Sequence, residues 1–94
     1  MQFEFEWDPP KNKKCLELRK FDFVFAAKVF RDPNIKVEID DRKNYGELRH
    51  KALGKIGDRV YWVVFTRREN KIRIISAWKV RKNSKDERKY YGIS

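Results

Sequence analysis

The side chains best able to do chemistry in this chain are cations and hydroxyls that crowd into one stretch: Arg49, Lys51, Thr66, Arg68, Lys71 and Arg73. The turn signals around them predict how they come together. Glu69-Asn70 and Gly57-Asp58 each read as a two-residue hairpin connection between runs rich in β-branched and aromatic residues. The first turn sets Arg68 opposite Lys71 and Thr66 opposite Arg73. The second sets Arg49 opposite Thr66, Lys51 opposite Val64 and Leu53 opposite Trp62. Side chains alternate between the faces of a strand, so the residues sort into two sets. Tyr61, Val63, Phe65, Ile72, Ile74 and Ala52 form an apolar face that should lie on helices. Arg49, Lys51, Arg68, Lys71 and Arg73 surround Thr66 on the other face, with Trp62, Val64 and Ile75 beside them. Cations gathered on an open face repel one another, and an anion would relieve that repulsion. Any one of them could serve merely to solvate a surface. The row Arg49, Thr66, Arg73 across three strands is what points to a site.

Other chemistries lack their residues. His50 is the sole histidine and falls on the apolar face, as a packing residue would. Asp40-Asp41 reads as a pair of turn formers rather than metal ligands. No Cys/His cluster has zinc spacing, and Gly54-Lys55-Ile56-Gly57 has neither the pattern nor the context of a phosphate-binding loop. Cys15 is the only cysteine, which excludes an internal disulfide, and it reads as a packing residue of a helix. No metal and no cofactor are expected. An enzyme built from this chain would work with cations, hydroxyls and tyrosines. RNA cleavage suits such a set, because the substrate carries its own nucleophile, the 2′-hydroxyl, and needs it aligned on the adjacent phosphorus. Arginine forks match phosphate oxygens two at a time and stabilise charge growing on them.

The elements that must position these residues follow from periodicity. Gln2 to Trp7 alternates apolar and acidic residues and reads as a strand. Asp8-Pro9 opens a helix to about Arg19. Asp22 opens a second, with Phe23, Ala26, Ala27 and Phe30 on one stripe, stopped by Pro33. Ile35, Val37 and Ile39 predict a half-buried strand, and Asp40 to Gly46 a loop. Strands follow over Leu48–Lys55, Arg59–Arg68 and Lys71–Lys79. Ser84 with Glu87 three residues on is a capping box that starts a last helix. The order β–α–α–β–β–β–β–α predicts an α+β fold, an antiparallel, twisted sheet with its helices packed on one side.

The length of 94 residues fits a single domain over 1–94. There are 24 Lys and Arg against 14 Asp and Glu, for a net charge of +10. Residues 1–47 hold 10 basic and 10 acidic side chains, and residues 48–94 hold 14 and 4. So asymmetric a field favours polyanions, nucleic acid first, an acidic protein second and a membrane surface third. No apolar run spans a membrane and the acidic, aromatic start is no signal peptide, so the expected compartment is the cytoplasm.

The residues also resemble a known family. Phe5-Glu6-Trp7-Asp8-Pro9 looks like the start of the BrnT toxins. Phe23-x-x-Ala26-Ala27-x-Val29-Phe30-x-Asp32-Pro33 is similar to that family's second helix. Tyr45-Gly46-Glu47-x-Arg49, Ala52-Leu53-Gly54, Val63-Val64-Phe65-Thr66-x-Arg68 and Ile72-Arg73-Ile74-Ile75-Ser76-Ala77 follow in family order, before a capped Glu87-Arg88 helix. The resemblance implies a RelE-like fold and a ribonuclease toxin that inhibits translation. It implies a BrnA-like ribbon-helix-helix antitoxin as partner, with operator DNA bound only through that complex. It also implies Arg49, Thr66, Arg68 and Arg73 as the catalytic set and Tyr91 as an RNA contact, to which the sheet-face grouping adds Lys51 and Lys71 as RNA-binding residues. The chain departs from the family at Cys15 to Lys20, in extra residues near Arg81 to Asn83, and at Trp78, which replaces a common arginine and is expected on the apolar side. Two other readings stay open: a non-catalytic nucleic-acid-binding module, and an interaction domain for an acidic protein.

Overall fold

The computed structural model describes residues 4–42, 44 and 46–93; Gln2 and Phe3 of the expected first strand, and Tyr45, lie outside it. The first strand, β1 (Glu4–Trp7), leads into α1 (Pro9–Arg19), and Lys20 ends that helix in the left-handed region at φ 67°. Asp8 occupies the cap position with extended backbone, but its side chain makes no capping hydrogen bond. Asp22 does cap, its carboxylate accepting from the Phe25 N–H at 2.9 Å. The second helix departs from expectation: α2 covers only Phe23–Ala26 and tightens into a 3-10 segment over Ala27–Arg31. Four strands and a helix complete the chain: β2 (Lys36–Ile39), β3 (His50–Ile56), β4 (Arg59–Arg68), β5 (Lys71–Lys79) and α3 (Lys85–Tyr91). The capping box forms in part: Ser84 Oγ accepts from the Glu87 N–H at 3.2 Å, while the Glu87 carboxylate accepts from Asn83 N–H at 2.9 Å rather than from Ser84.

The sheet has the order β1-β5-β4-β3-β2. It is not wholly antiparallel as expected, because β1 joins β5 in parallel. The reason lies in connectivity: the chain leaves β1 at one edge, crosses the sheet through α1, α2 and the 3-10 segment, and returns as β2 at the other edge.

The two tight hairpins hold. Lys51 pairs with Val64, Leu53 with Trp62, Thr66 with Arg73 and Arg68 with Lys71. Between Val64 and Phe65 the β4–β5 ladder slips, pairing Phe65 with Ile74 but Val64 with Ser76. A bulge of this kind adds one residue and reverses side-chain parity beyond it. Trp78 therefore faces Trp62, on the side opposite to the one expected for it, and Ala77 joins the apolar face.

Each face has its own core. On the first, Ala52, Tyr61, Val63, Phe65, Ile72, Ile74 and Ala77 pack under Cys15 of α1, Phe23 and Ala26 of α2, and Val29. Val29 comes so close to β3 that a Cβ added at Gly54 would stand 2.6 Å from Val29 Cγ1 and force a shift. On the second, Leu53, Val60, Trp62 and Val80 pack with Tyr90 of α3 and the flanking Trp78. The helices are thus on both sides, correcting the one-sided arrangement expected. A face that carries Leu53, Val60 and two tryptophans must bury them against something, and α3 supplies the cover. No helix among the described residues is long and apolar enough to cross a membrane.

Candidate active site

The second face divides into an apolar half beneath α3 and a cationic half beyond it. In the cationic half, register brings Thr66 beside Arg73 and Arg68 beside Lys71 on β4 and β5. Arg49 stands just before β3, and its carbonyl accepts from the Asp40 N–H at 2.8 Å. Arg49, Thr66, Arg68, Lys71 and Arg73 are therefore gathered at one end of three adjacent strands.

Carboxylates share this face. β1 runs beside β5 with Glu4 against Lys71 and Glu6 against Arg73, and Glu6 accepts from Arg73 Nη1 at 2.7 Å. Glu47 lies between two guanidiniums, 3.5 Å from Arg49 through one oxygen and 3.5 Å from Arg68 through the other. Glu38 on β2 lies 3.4 Å from Lys51, which also sits 4.8 Å above the Trp62 ring. The repulsion expected among the cations is thus relieved within the molecule for Arg49, Lys51, Arg68 and Arg73. Sequence reasoning missed Glu6, Glu38 and Glu47 as members of the site. The alternation of Phe5 with Glu4 and Glu6 was a usable signal; what was lacking was the strand beside which β1 would lie.

The segment after β2 turns onto this face. Asp40, 3% exposed, accepts two bonds from the Arg42 guanidinium, at 2.7 and 2.9 Å. The Arg42 guanidinium lies 5.3 Å from the centre of the Trp78 ring. Arg42 holds the Asp40 carboxyl below the usual carboxylate range, against the opposing effect of burial. Thr66 is consequently not open: it is 5% exposed and donates its hydroxyl to the Leu48 carbonyl at 2.9 Å. The expectation of an uncovered face fails at Thr66 and Val64. It holds for Arg68, whose side chain is 53% exposed, and only in part for Arg73 and Arg49, which keep 28% and 20%.

Tyr91 is elsewhere. It lines a cleft with Asn34, Lys36, Lys55 and Tyr90, and Lys55 Nζ lies 5.5 Å from its ring centre. Lys55 is at the far end of β3 from Arg49, about 20 Å away at the rise of an extended strand. Beneath Tyr91, the Tyr90 hydroxyl donates to Asp32 at 2.5 Å, and burial together with that carboxylate pushes its pKa up. His50 lies on the first face, stacked on Phe65 with ring centres 5.6 Å apart. Among the described residues no three His, Cys, Asp or Glu gather in a metal-binding group.

An array of guanidiniums that already binds carboxylates, at a half-exposed sheet end, can take phosphates in the same forks. A family model described as "Ribonuclease toxin, BrnT, of type II toxin-antitoxin system" matches residues 7–87. The chain belongs to the BrnT family. BrnT proteins are ribonuclease toxins of type II systems, which implies RNA as substrate and a protein antitoxin as partner. The match begins at Trp7, in β1, and ends at Glu87, in the first turn of α3, so the whole cationic end except Glu4 and Glu6 lies within it. A search of curated proteins finds no match.

Proposed function

We propose that this chain is a metal-independent endoribonuclease of the mRNA-interferase type, with a RelE-like fold, that inhibits translation in the cytoplasm. Its partner is a BrnA-like ribbon-helix-helix antitoxin, and operator DNA is bound only through that complex. The observation that carries this reading is Glu47 held between Arg49 and Arg68. A scissile phosphate takes the place of its carboxylate between the two guanidiniums, and Arg73 meets the charge that develops on the departing 5′-oxygen. Glu47, displaced but tethered by its loop, accepts the 2′-hydroxyl proton. The 2′-oxygen then bonds to phosphorus as the P–O5′ bond breaks, leaving a 2′,3′-cyclic phosphate and a 5′-hydroxyl that takes its proton from solvent. Lys71 and Lys51 hold neighbouring phosphates. Thr66 acts as a positioning residue, since its hydroxyl fixes the Leu48 carbonyl and with it the backbone of Arg49. Tyr91 with Lys55 contacts RNA farther along the strand.

Loss of one charge-stabilising group typically costs about 2.7–4 kcal/mol of barrier, a hundredfold to a thousandfold in rate. Purified protein should cleave RNA in EDTA, and Arg68→Ala or Arg73→Ala should slow it at least a hundredfold. Glu47→Gln should bind RNA more tightly and cleave it more slowly, a split that a merely structural glutamate would not produce. Cleavage that requires a divalent metal, or that survives both arginine changes, overturns the mechanism. Binding with steep salt dependence but no scission would make the chain a non-catalytic binding module.

A further inference from the structure

The first face is not covered along its whole length. At the sheet end where β2 finishes and β3 begins, Val37, Ile39 and Leu48 are each more than half exposed. Register makes Val37 and Ile39 one strip, and Leu48 lies two residues before His50, the partner of Ile39. Val37 is beside Ala52, and Ile39 is beside His50, which in turn faces Phe65. Next to the strip, a cleft of about 310 Å³ opens between Phe30, Ile35, His50, Phe65 and Ile72, with the exposed Arg67 on its rim. Among the described residues no carboxylate pairs with Arg67. Among the described residues β2 is also an edge strand, bonded only to β3, so its outer row of backbone groups is open to a further segment.

We infer that this strip and cleft are where the antitoxin grips the toxin. The occupant is a segment of the antitoxin that crosses the β2 edge, puts one large apolar side chain into the cleft and brings a carboxylate to Arg67. A contiguous apolar patch with a concave anchor site is how a protein surface marks a protein partner. Charge selects which partner. The chain carries +10, with 14 basic and 4 acidic side chains in residues 48–94, so a second copy is repelled and an acidic segment attracted. The strip lies on the opposite side of the sheet from Arg49, Arg68 and Arg73. The grip on the toxin and the blocking of its cations are therefore separate contacts, made by reaching around one sheet edge. The inference rests on the toxin–antitoxin reading but not on which residues cleave RNA.

The test uses the antitoxin recovered from the co-expressed pair as the probe. Its dissociation constant is measured by calorimetry against the wild-type chain, Val37→Asp, Ile39→Asp and Arg67→Glu. RNA cleavage by each toxin alone is measured in parallel. Val37→Asp and Ile39→Asp are each expected to weaken the complex at least tenfold and Arg67→Glu at least threefold, with cleavage within twofold of wild type. Arg67→Glu is on a different strand, so a local loss of β2 would leave it as an independent reading. Unchanged antitoxin affinity in all three variants overturns the inference. So does sedimentation showing that the wild-type chain alone is a dimer that Val37→Asp dissolves, because a second copy would then own the surface. A wild-type chain without ribonuclease activity would defeat the proposed function, while calorimetry would still decide where the antitoxin docks.

Discussion

Removing the Asp32 carboxylate should release α3 from the second face. One oxygen of Asp32 accepts from the Tyr90 hydroxyl at 2.5 Å and from the Lys55 N–H at 2.7 Å, and the other accepts from the Asn34 N–H at 2.9 Å. A single side chain thus joins the end of the 3-10 segment to β3 and to α3. The Asn34 bond is exposed and water replaces it at little cost. The other two differ, because Tyr90 is buried in the second core and Lys55 lies within the sheet ladder. Hydrogen bonds to a charged acceptor contribute about 1.5–3 kcal/mol each, so Asp32→Ala should cost about 3–6 kcal/mol. Total stability is only about 5–15 kcal/mol for a domain, so the variant is expected near the edge of unfolding. Each kcal/mol moves Tm by about 4–8 °C at this size, which puts the fall at 12 °C or more. Tyr90→Phe removes only the hydroxyl and leaves the Lys55 bond in place, so about half the cost is expected. Thermal unfolding followed by circular dichroism reads both. A Tm shift under about 4 °C for Asp32→Ala, or an equal loss in Tyr90→Phe, would refute the reasoning.

Two further predictions concern stability. Asp32, Asp40 and Glu38 all have folded pKa values below their ordinary ones. For Asp32 burial works the other way but is outweighed by the Tyr90, Asn34 and Lys55 hydrogen bonds; for Asp40 the cause is Arg42, and for Glu38 it is Lys89 with Lys51. Depressed carboxylates contribute stability that is complete above their unfolded values, near about 4, and lost as pH falls through the folded ones. Denaturant midpoints should therefore be flat in this contribution at neutral pH and drop below about pH 4, and Asp40→Asn should flatten that drop; an unchanged slope would remove Asp40 from the account. Gly54→Ala places a Cβ 2.6 Å from Val29 Cγ1 and 3.1 Å from the Val29 carbonyl, against a residue that is fully buried. Overpacking of this kind costs about 1–3 kcal/mol, and a thermal midpoint equal to wild type would show that Val29 can yield.

How much could be read from residues alone depended on whether the signal was local. The hairpins at Gly57-Asp58 and Glu69-Asn70 were legible because turn chemistry fixes register over short range, and Gly57 takes the positive φ of 64° that such a turn needs. From them followed the grouping of Arg49, Thr66, Arg68, Lys71 and Arg73. The bulge at Val64/Phe65 was not legible, since neither residue nor its partners announce an extra residue. That slip alone moved Trp78 to the second face, completed an apolar half there, and gave α3 a place opposite the other helices. The parallel docking of β1, and with it the Glu6–Arg73 pair, depends on contacts between the two ends of the chain, which no periodicity encodes. Nor does the reading of Asp40-Asp41 as turn formers foresee that Asp40 is buried and bonded by Arg42.

The carboxylates on the second face change what a net charge of +10 means for a substrate. Arg73 faces Glu6, Arg49 and Arg68 share Glu47, and Lys51 faces Glu38. A phosphate arriving there meets cations that are already satisfied and must exchange with an anion rather than fill an empty site. These pairs are partly exposed and screened by salt, so each is worth little by itself and the exchange is reversible. The two displaced groups differ in freedom. Glu6 is held in a sheet strand beside Arg73 and can only retreat by rotating its side chain, whereas Glu47 sits outside the ladder, between β2 and β3, on a segment attached through Arg42–Trp78 and Thr66–Leu48. Under the proposed mechanism that difference assigns their roles. The strand glutamate sets the position of Arg73, and the loop glutamate moves aside for phosphate while staying close enough to take a proton from the ribose. Competition by a neighbouring carboxylate would then hold back binding of any nucleic acid, while only RNA, which has a 2′-hydroxyl to present, would make use of the carboxylate once displaced.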